Sequence, residues 1–176
     1  CADQSLCGQQ QWREPLRSAL DWLRDRLAGI FESRMQAYCE DPWAARNEYV
    51  SVINDRSAKN VARFIADITH KELEAADRTT FVKLLELQRN AMLMYTSCGW
   101  FFDRISGIEA VQILKYADRA MQLCRELENV ELEDEFKGML EAAGASASGL
   151  TNGKEVYEAY VEPARIDLPR VVAHFA

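Results

Sequence analysis

Hydrophobic positions recur along this chain at helical spacing from near its beginning to near its end. Between about Glu14 and Cys39, Leu16, Ala19, Leu20, Leu23, Leu27, Ile30 and Phe31 fall three and four residues apart, with Arg17, Asp21, Arg24 and Asp25 on the opposite side. One apolar stripe on a polar cylinder predicts an amphipathic α-helix. Pro15 is tolerated in its first turn, where the missing N–H has no partner to lose. Asp41-Pro42 reads as an N-cap followed by proline at the first helical position, opening a shorter helix with Trp43, Tyr49, Val50 and Ile53 on its apolar face.

Ser57 caps a third helix with Val61, Phe64, Ile65 and Ile68 inward. A fourth runs from about Thr79 to Thr96. Its second half, Ala91-Met92-Leu93-Met94-Tyr95, is apolar nearly all round, which predicts packing on several sides at the centre of a bundle. Ser106 and Glu109 are spaced as a capping box for a fifth helix, with Ile108, Val111, Leu114, Ala117, Met121 and Cys124 inward. An acidic sixth helix buries Phe136, Met139 and Leu140. Residues 142–152, rich in Ala, Ser and Gly, read as a loop. Val156, Tyr157, Tyr160 and Val161 belong to a further helix, which Pro163 and Pro169 divide from a last turn ending at His174. No useful alternating run appears. The expected fold is all-α, a single bundle of about six to seven helices with negligible β. The expected division is an irregular segment over residues 1–13, cut from a longer protein, and a bundle over residues 14–176.

Composition narrows the function classes. At 176 residues, with 48% hydrophobic and 28% charged side chains, the chain fits one well-buried core. The net charge is −7 and cations are interspersed with acids, so no basic stripe offers itself to nucleic acid. No run approaches the roughly 20 apolar residues of a membrane span. Five cysteines (Cys1, Cys7, Cys39, Cys98, Cys124) make an odd, scattered set and no disulfide framework. Cys98 and Cys124 read as small core residues, and the expected compartment is a reducing cytoplasm. Cys1 and Cys7 have only the remote His70 and His174 as imidazole partners, so no metal site and no cofactor is expected. His70, between two helices, reads as a loop or C-capping residue.

Familiar catalytic signatures are missing: there is no phosphate-cradling Gly loop, no Gly-flanked Ser nucleophile and no His-Glu-His spacing. The expectation is no catalytic residue. One segment resists a purely structural account. From Tyr95 to Glu109 the helical pattern breaks, and Trp100, Phe101 and Phe102 precede Asp103 and Arg104. Rings beside a carboxylate suit a sugar: the ring covers the apolar face of a pyranose and the acid accepts from its hydroxyls. The competing reading is an aromatic plug between helices. Glu109 has its capping-box role, and Arg104 an ion pair with Asp103. Trp12 either staples the first helix to the body or contacts a neighbouring module. The candidate sugar-contact residues are Trp100, Asp103, Phe101, Phe102, Tyr95, Glu109 and Trp12.

The run Leu84-Leu85-Glu86-Leu87-Gln88-Arg89-Asn90-Ala91-Met92-Leu93-Met94-Tyr95-Thr96-Ser97-Cys98-Gly99-Trp100-Phe101-Phe102-Asp103, with Ile105 to Glu109, resembles a helical region of unknown function. That region follows the catalytic module in proteins related to glycoside-hydrolase family 57. Trp12 to Arg17, Ala19 to Arg24 and Tyr157 to Pro163 are similar to the same region, as are Asp167-Leu168 and Val172 to His174. The resemblance implies a partner, an upstream (β/α) barrel of the same polypeptide acting on α-glucans through a Glu nucleophile and an Asp acid carried by the barrel. It implies that this bundle closes one side of the carbohydrate cleft, with Trp100 and Asp103 facing it. The alternative is a protein-interaction or oligomerisation bundle that touches no sugar.

Overall fold

The computed structural model describes residues 10–147 and 149–165. Eight α-helices in the described residues make a bundle: α1 (Arg13–Met35), α2 (Pro42–Glu48), α3 (Val50–Asn54), α4 (Ala58–Thr69), α5 (Ala75–Leu93), α6 (Ile108–Glu128), α7 (Glu133–Leu140) and α8 (Gly153–Tyr160). The expected all-α class is the observed one. Cys1, Cys7, Pro169 and His174 lie outside the described residues.

α1 spans about 35 Å. It buries Leu16, Ala19, Leu20, Leu23, Leu27, Phe31 and Met35 completely. At ~1.5–3 kcal/mol for each large apolar side chain, this one stripe is a leading contribution to the core. The helix stops four residues short of Cys39, because the Met35 carbonyl accepts from both Tyr38 N–H (2.9 Å) and Cys39 N–H (3.1 Å), tightening the chain into a turn. Asp41 then caps α2 as its sequence requires, its carboxylate accepting from the N–H groups of Trp43 and Ala44 at 3.0 and 2.9 Å.

The single helix expected after Asp41 is two. Tyr49 ends α2 and opens α3, and its buried ring sends its hydroxyl to Glu86 at 2.7 Å. That anchor turns the next residues, so Val52 is buried and Val50 faces solvent. α4 begins on the Ser57 hydroxyl, which accepts from Asn60 N–H at 3.3 Å, and ends at His70, whose φ of 52° makes it a left-handed C-cap. α5 begins at Ala75, one turn before the expected Thr79, and ends at Leu93. It lies against both α1 and α6 at the centre of the bundle, although Met92 points outward.

Two further inward assignments differ: Ile108 and Cys98 are exposed, whereas Cys124 is sealed in the core as expected, and Tyr160 of the last helix is also exposed. Ile108 is the first residue of α6 and precedes the turn where that helix meets its neighbours. Tyr160 ends α8 with Val156 and Tyr157 taking the inner face. Cys98 lies in the short 3₁₀ turn Ser97–Trp100 that follows α5.

Within the expected loop, a small antiparallel hairpin pairs β1 (Gly144–Ala147) with β2 (Leu150–Asn152) through Gly149, whose φ of 80° suits glycine. Asn152 then caps α8, accepting from Glu155 N–H at 3.0 Å. Where α6, α7 and α8 converge, the buried Asp118 accepts from the Tyr157 hydroxyl (2.6 Å), the Arg165 guanidinium (2.6 Å) and the Gln122 amide (2.7 Å). Arg165 also reaches Glu133 at 2.6 Å. Burial and the Asp118 charge push the Tyr157 phenol far above its ordinary range.

Candidate functional site: the aromatic turn between α5 and α6

The candidate segment leaves α5 through the buried Met94 and enters a 3₁₀ turn, Ser97–Trp100. Gly99 sets its position. A Cβ there would lie 2.6 Å from Ile113 Cγ2 and 3.2 Å from the Glu109 carbonyl, so only glycine lets this backbone press onto α6. Six residues later Ile105 is fully buried, its Cδ1 against the backbone of Gly153. Between these two anchors the chain has to loop outward. Phe101 and Phe102 ride on that loop, 77% and 51% exposed. Their rings meet edge to face, 5.3 Å between centroids at 82°.

The loop is fixed from the other end of the sequence. Trp12 donates its indole N–H to the Asp103 carbonyl at 2.8 Å. Arg13 donates to the carbonyls of Phe101 and Phe102 at 3.0 and 3.2 Å, and to the Gln10 side chain at 2.7 Å. Gln10 in turn donates its amide to the Asp103 carboxylate at 3.2 Å. Main-chain carbonyls that would otherwise face water are thereby held, and the two Phe rings are presented on a backbone with little freedom.

Beside the loop, rings and guanidinium groups alternate. Trp100 stacks on the buried Trp12 with 6.3 Å between centroids and 14° between planes. Arg17 lies over Trp100 at 6.0 Å and over Tyr95 at 4.8 Å, and Arg24 lies over Tyr95 at 5.9 Å. Tyr95 donates its hydroxyl to Asp21 at 2.7 Å, and Asp21 pairs with Arg17 and Arg24. Burial, then the hydrogen bond and charge of Asp21, raise the Tyr95 phenol above its ordinary range. Burial alone would raise the Asp21 carboxyl, but Tyr95, Arg17 and Arg24 outweigh it and hold the group below the usual carboxylate range.

The seven candidates therefore separate. Trp12 and Trp100 stack on each other, and Tyr95 joins them through Arg17, which lies over both Tyr95 and Trp100. Phe101, Phe102 and Asp103 face solvent. Arg104 is exposed and forms no ion pair with Asp103 among the described residues. Glu109 forms no capping box: the N-cap of α6 is Gly107, so the third helical position is Ala110 and not Glu109. Half-buried in the first turn, the Glu109 carboxylate instead complements the positive end of the helix dipole. Gln10, Arg13, Arg17 and Asp21 are the participants that the sequence pattern did not mark. Arg13, Arg17 and Asp21 read only as the wet side of α1 and Gln10 as part of the irregular segment before it, and nothing local says which distant loop they meet. Among the described residues, no group of three or more His, Cys, Asp and Glu is disposed to hold a metal ion.

A family described as a domain of unknown function, DUF3536, matches residues 9–176, which takes in Gln10, the whole turn and every described helix. The chain belongs to the DUF3536 family. The clamp between residues 10–13 and 101–103 is thus internal to the DUF3536 domain. No curated protein and no solved structure matches the chain. No described helix of this DUF3536 domain is long and apolar enough to cross a membrane.

Proposed function

We propose that this domain is a non-catalytic helical module that packs on a glycoside-hydrolase family 57-like barrel of the same polypeptide and lines one side of its α-glucan cleft. The observation that carries the reading is the pair Phe101 and Phe102, held largely out of the core on a loop clamped by Trp12, Arg13 and Gln10. Leaving apolar rings in water forgoes roughly 1.5–3 kcal/mol each, and a preorganised loop that does so suits contact with something else. The resemblance of Leu84 to Asp103 to the region following family 57 catalytic modules supplies the partner. Asp103 sits beside the rings with its carboxylate accessible for sugar hydroxyls. Within this reading the sugar contact falls on Phe101 and Phe102 in place of Trp100, which Trp12 and Arg17 half cover.

A second reading, a protein-interaction or oligomerisation surface with no sugar contact, draws on the edge-to-face geometry of the two rings. They make a wedge and not a flat platform. The two separate on the intact polypeptide carrying Phe101→Ala and Phe102→Ala, titrated with a panel of α-glucans. The cleft reading expects weaker oligosaccharide affinity in a folded variant. Unaltered affinity across the panel removes the sugar contact, and a changed association state then supports the second reading.

A further inference from the structure

We infer that the trough between α4 and α5 is a docking groove for an acidic amphipathic helix. Two adjoining hollows form it. One, of about 460 Å³, is lined by Val61, Ala62, Ile65 and Val82, and the next, of about 590 Å³, shares Ala62, Ile65 and Arg78 and runs on to Leu73. Along α4 the exposed Ala58, Ala62 and Ala66 recur every four residues, so that side of the helix carries no long side chain to fill the trough. From Ala58 to Ala66 the wall extends about 12 Å. A long open trough with an apolar floor leaves a compact ligand mostly wet, whereas a helix laid along it buries a stripe of its own at i, i+3, i+4 and i+7.

Charge selects the kind of helix. Arg78 lines both hollows and pairs with no described side chain. Lys83 lines the first, shared with Glu126 at 2.8 Å, and Lys71 lines the second, its ammonium on the Ala37 carbonyl at 3.1 Å. Glu72 is the one acid on the lining. On a chain whose net charge is −7, this is a locally cationic rim around an apolar floor. A partner helix with a leucine-type stripe flanked by carboxylates satisfies both features.

The test titrates the whole 176-residue chain with a fluorescent synthetic helix of about five turns, carrying Leu on one face and Glu on its flanks, and with the same peptide carrying Lys on its flanks. Anisotropy should show the acidic peptide binding at least about tenfold tighter. Ala62→Arg, at an exposed helical site that keeps its helix content, should weaken it about tenfold or more, and Arg78→Glu should reverse the preference for the two peptides. The inference is overturned if neither peptide binds, if both bind alike, or if Ala62→Arg leaves binding unchanged. It is also overturned if light scattering shows a dimer of the chain alone that Ala62→Arg dissociates, since the occupant is then a second copy.

Discussion

Trp12 and Asp103, ninety-one positions apart, are joined by a 2.8 Å hydrogen bond from an indole N–H to a main-chain carbonyl. The indole is almost wholly buried and the carboxylate of the same aspartate is in water. One contact therefore ties the start of the bundle to the loop that leaves it. Trp12→Phe keeps most of the apolar burial and deletes the donor. We expect a loss of about 1 kcal/mol in urea unfolding, with faster amide exchange across residues 99–105. A variant with unchanged exchange there would show that the loop holds its shape without the clamp.

Gly99 is the second support. Gly99→Ala drives a methyl group to 2.6 Å from Ile113 Cγ2, and the turn has to lift off α6. The expected cost is about 1–3 kcal/mol. Combined with Ile113→Ala, which opens the space, the two changes should be strongly non-additive in a double-mutant cycle. Simple addition would contradict the proposed collision.

How much of this was legible in the sequence divides along physical lines. Caps and stripes are local, and Asp41-Pro42, Ser57, His70 and the α1 stripe stand where their residue types put them. The aromatic turn was legible as a break in helical period, because Gly99 and the Trp-Phe-Phe run cannot continue an amphipathic pattern. Which of its rings would face water was not. Trp100 is half-covered because Trp12 and Arg17, both on distant sequence, close over it. Ser106 and Glu109 had the right spacing for a capping box, yet Gly107 takes the N-cap and shifts the register by one residue. The hairpin escaped notice because Gly144, Ala145, Ser146 and Ala147 carry no alternation of large apolar and polar groups.

Asp118, midway along α6, is held by Tyr157 and Arg165. Arg165→Ala leaves a buried carboxylate with only neutral donors. The expected loss is about 3 kcal/mol, the lower end for breaking such a pair because Arg165 itself is partly exposed. Thermal unfolding followed by circular dichroism measures it, and a change within about 0.5 kcal/mol would show the cluster to be peripheral to stability.

Acid sensitivity follows from Asp21 and Glu86. Burial alone would raise Glu86, but hydrogen bonds from Tyr49, Arg56 and Arg89 outweigh it and hold its carboxyl below the usual range, as Tyr95 and the arginines do for Asp21. A carboxyl depressed in the folded state gives stability that is complete above its unfolded value, about 4. That stability is lost as pH falls through the lower folded value. Unfolding free energy should therefore decline from about pH 5 downward, and Glu86→Gln should flatten part of that slope. A slope identical in the variant would remove Glu86 from the account.

The central claim is that Phe101 and Phe102 are held outward for a neighbouring module. Hydroxyl-radical footprinting of these two rings, in the isolated domain and in the intact polypeptide, tests it most directly. The account predicts heavy oxidation of both in the domain and marked protection in the intact polypeptide. Equal oxidation in the two would contradict it and leave the pair as unoccupied surface.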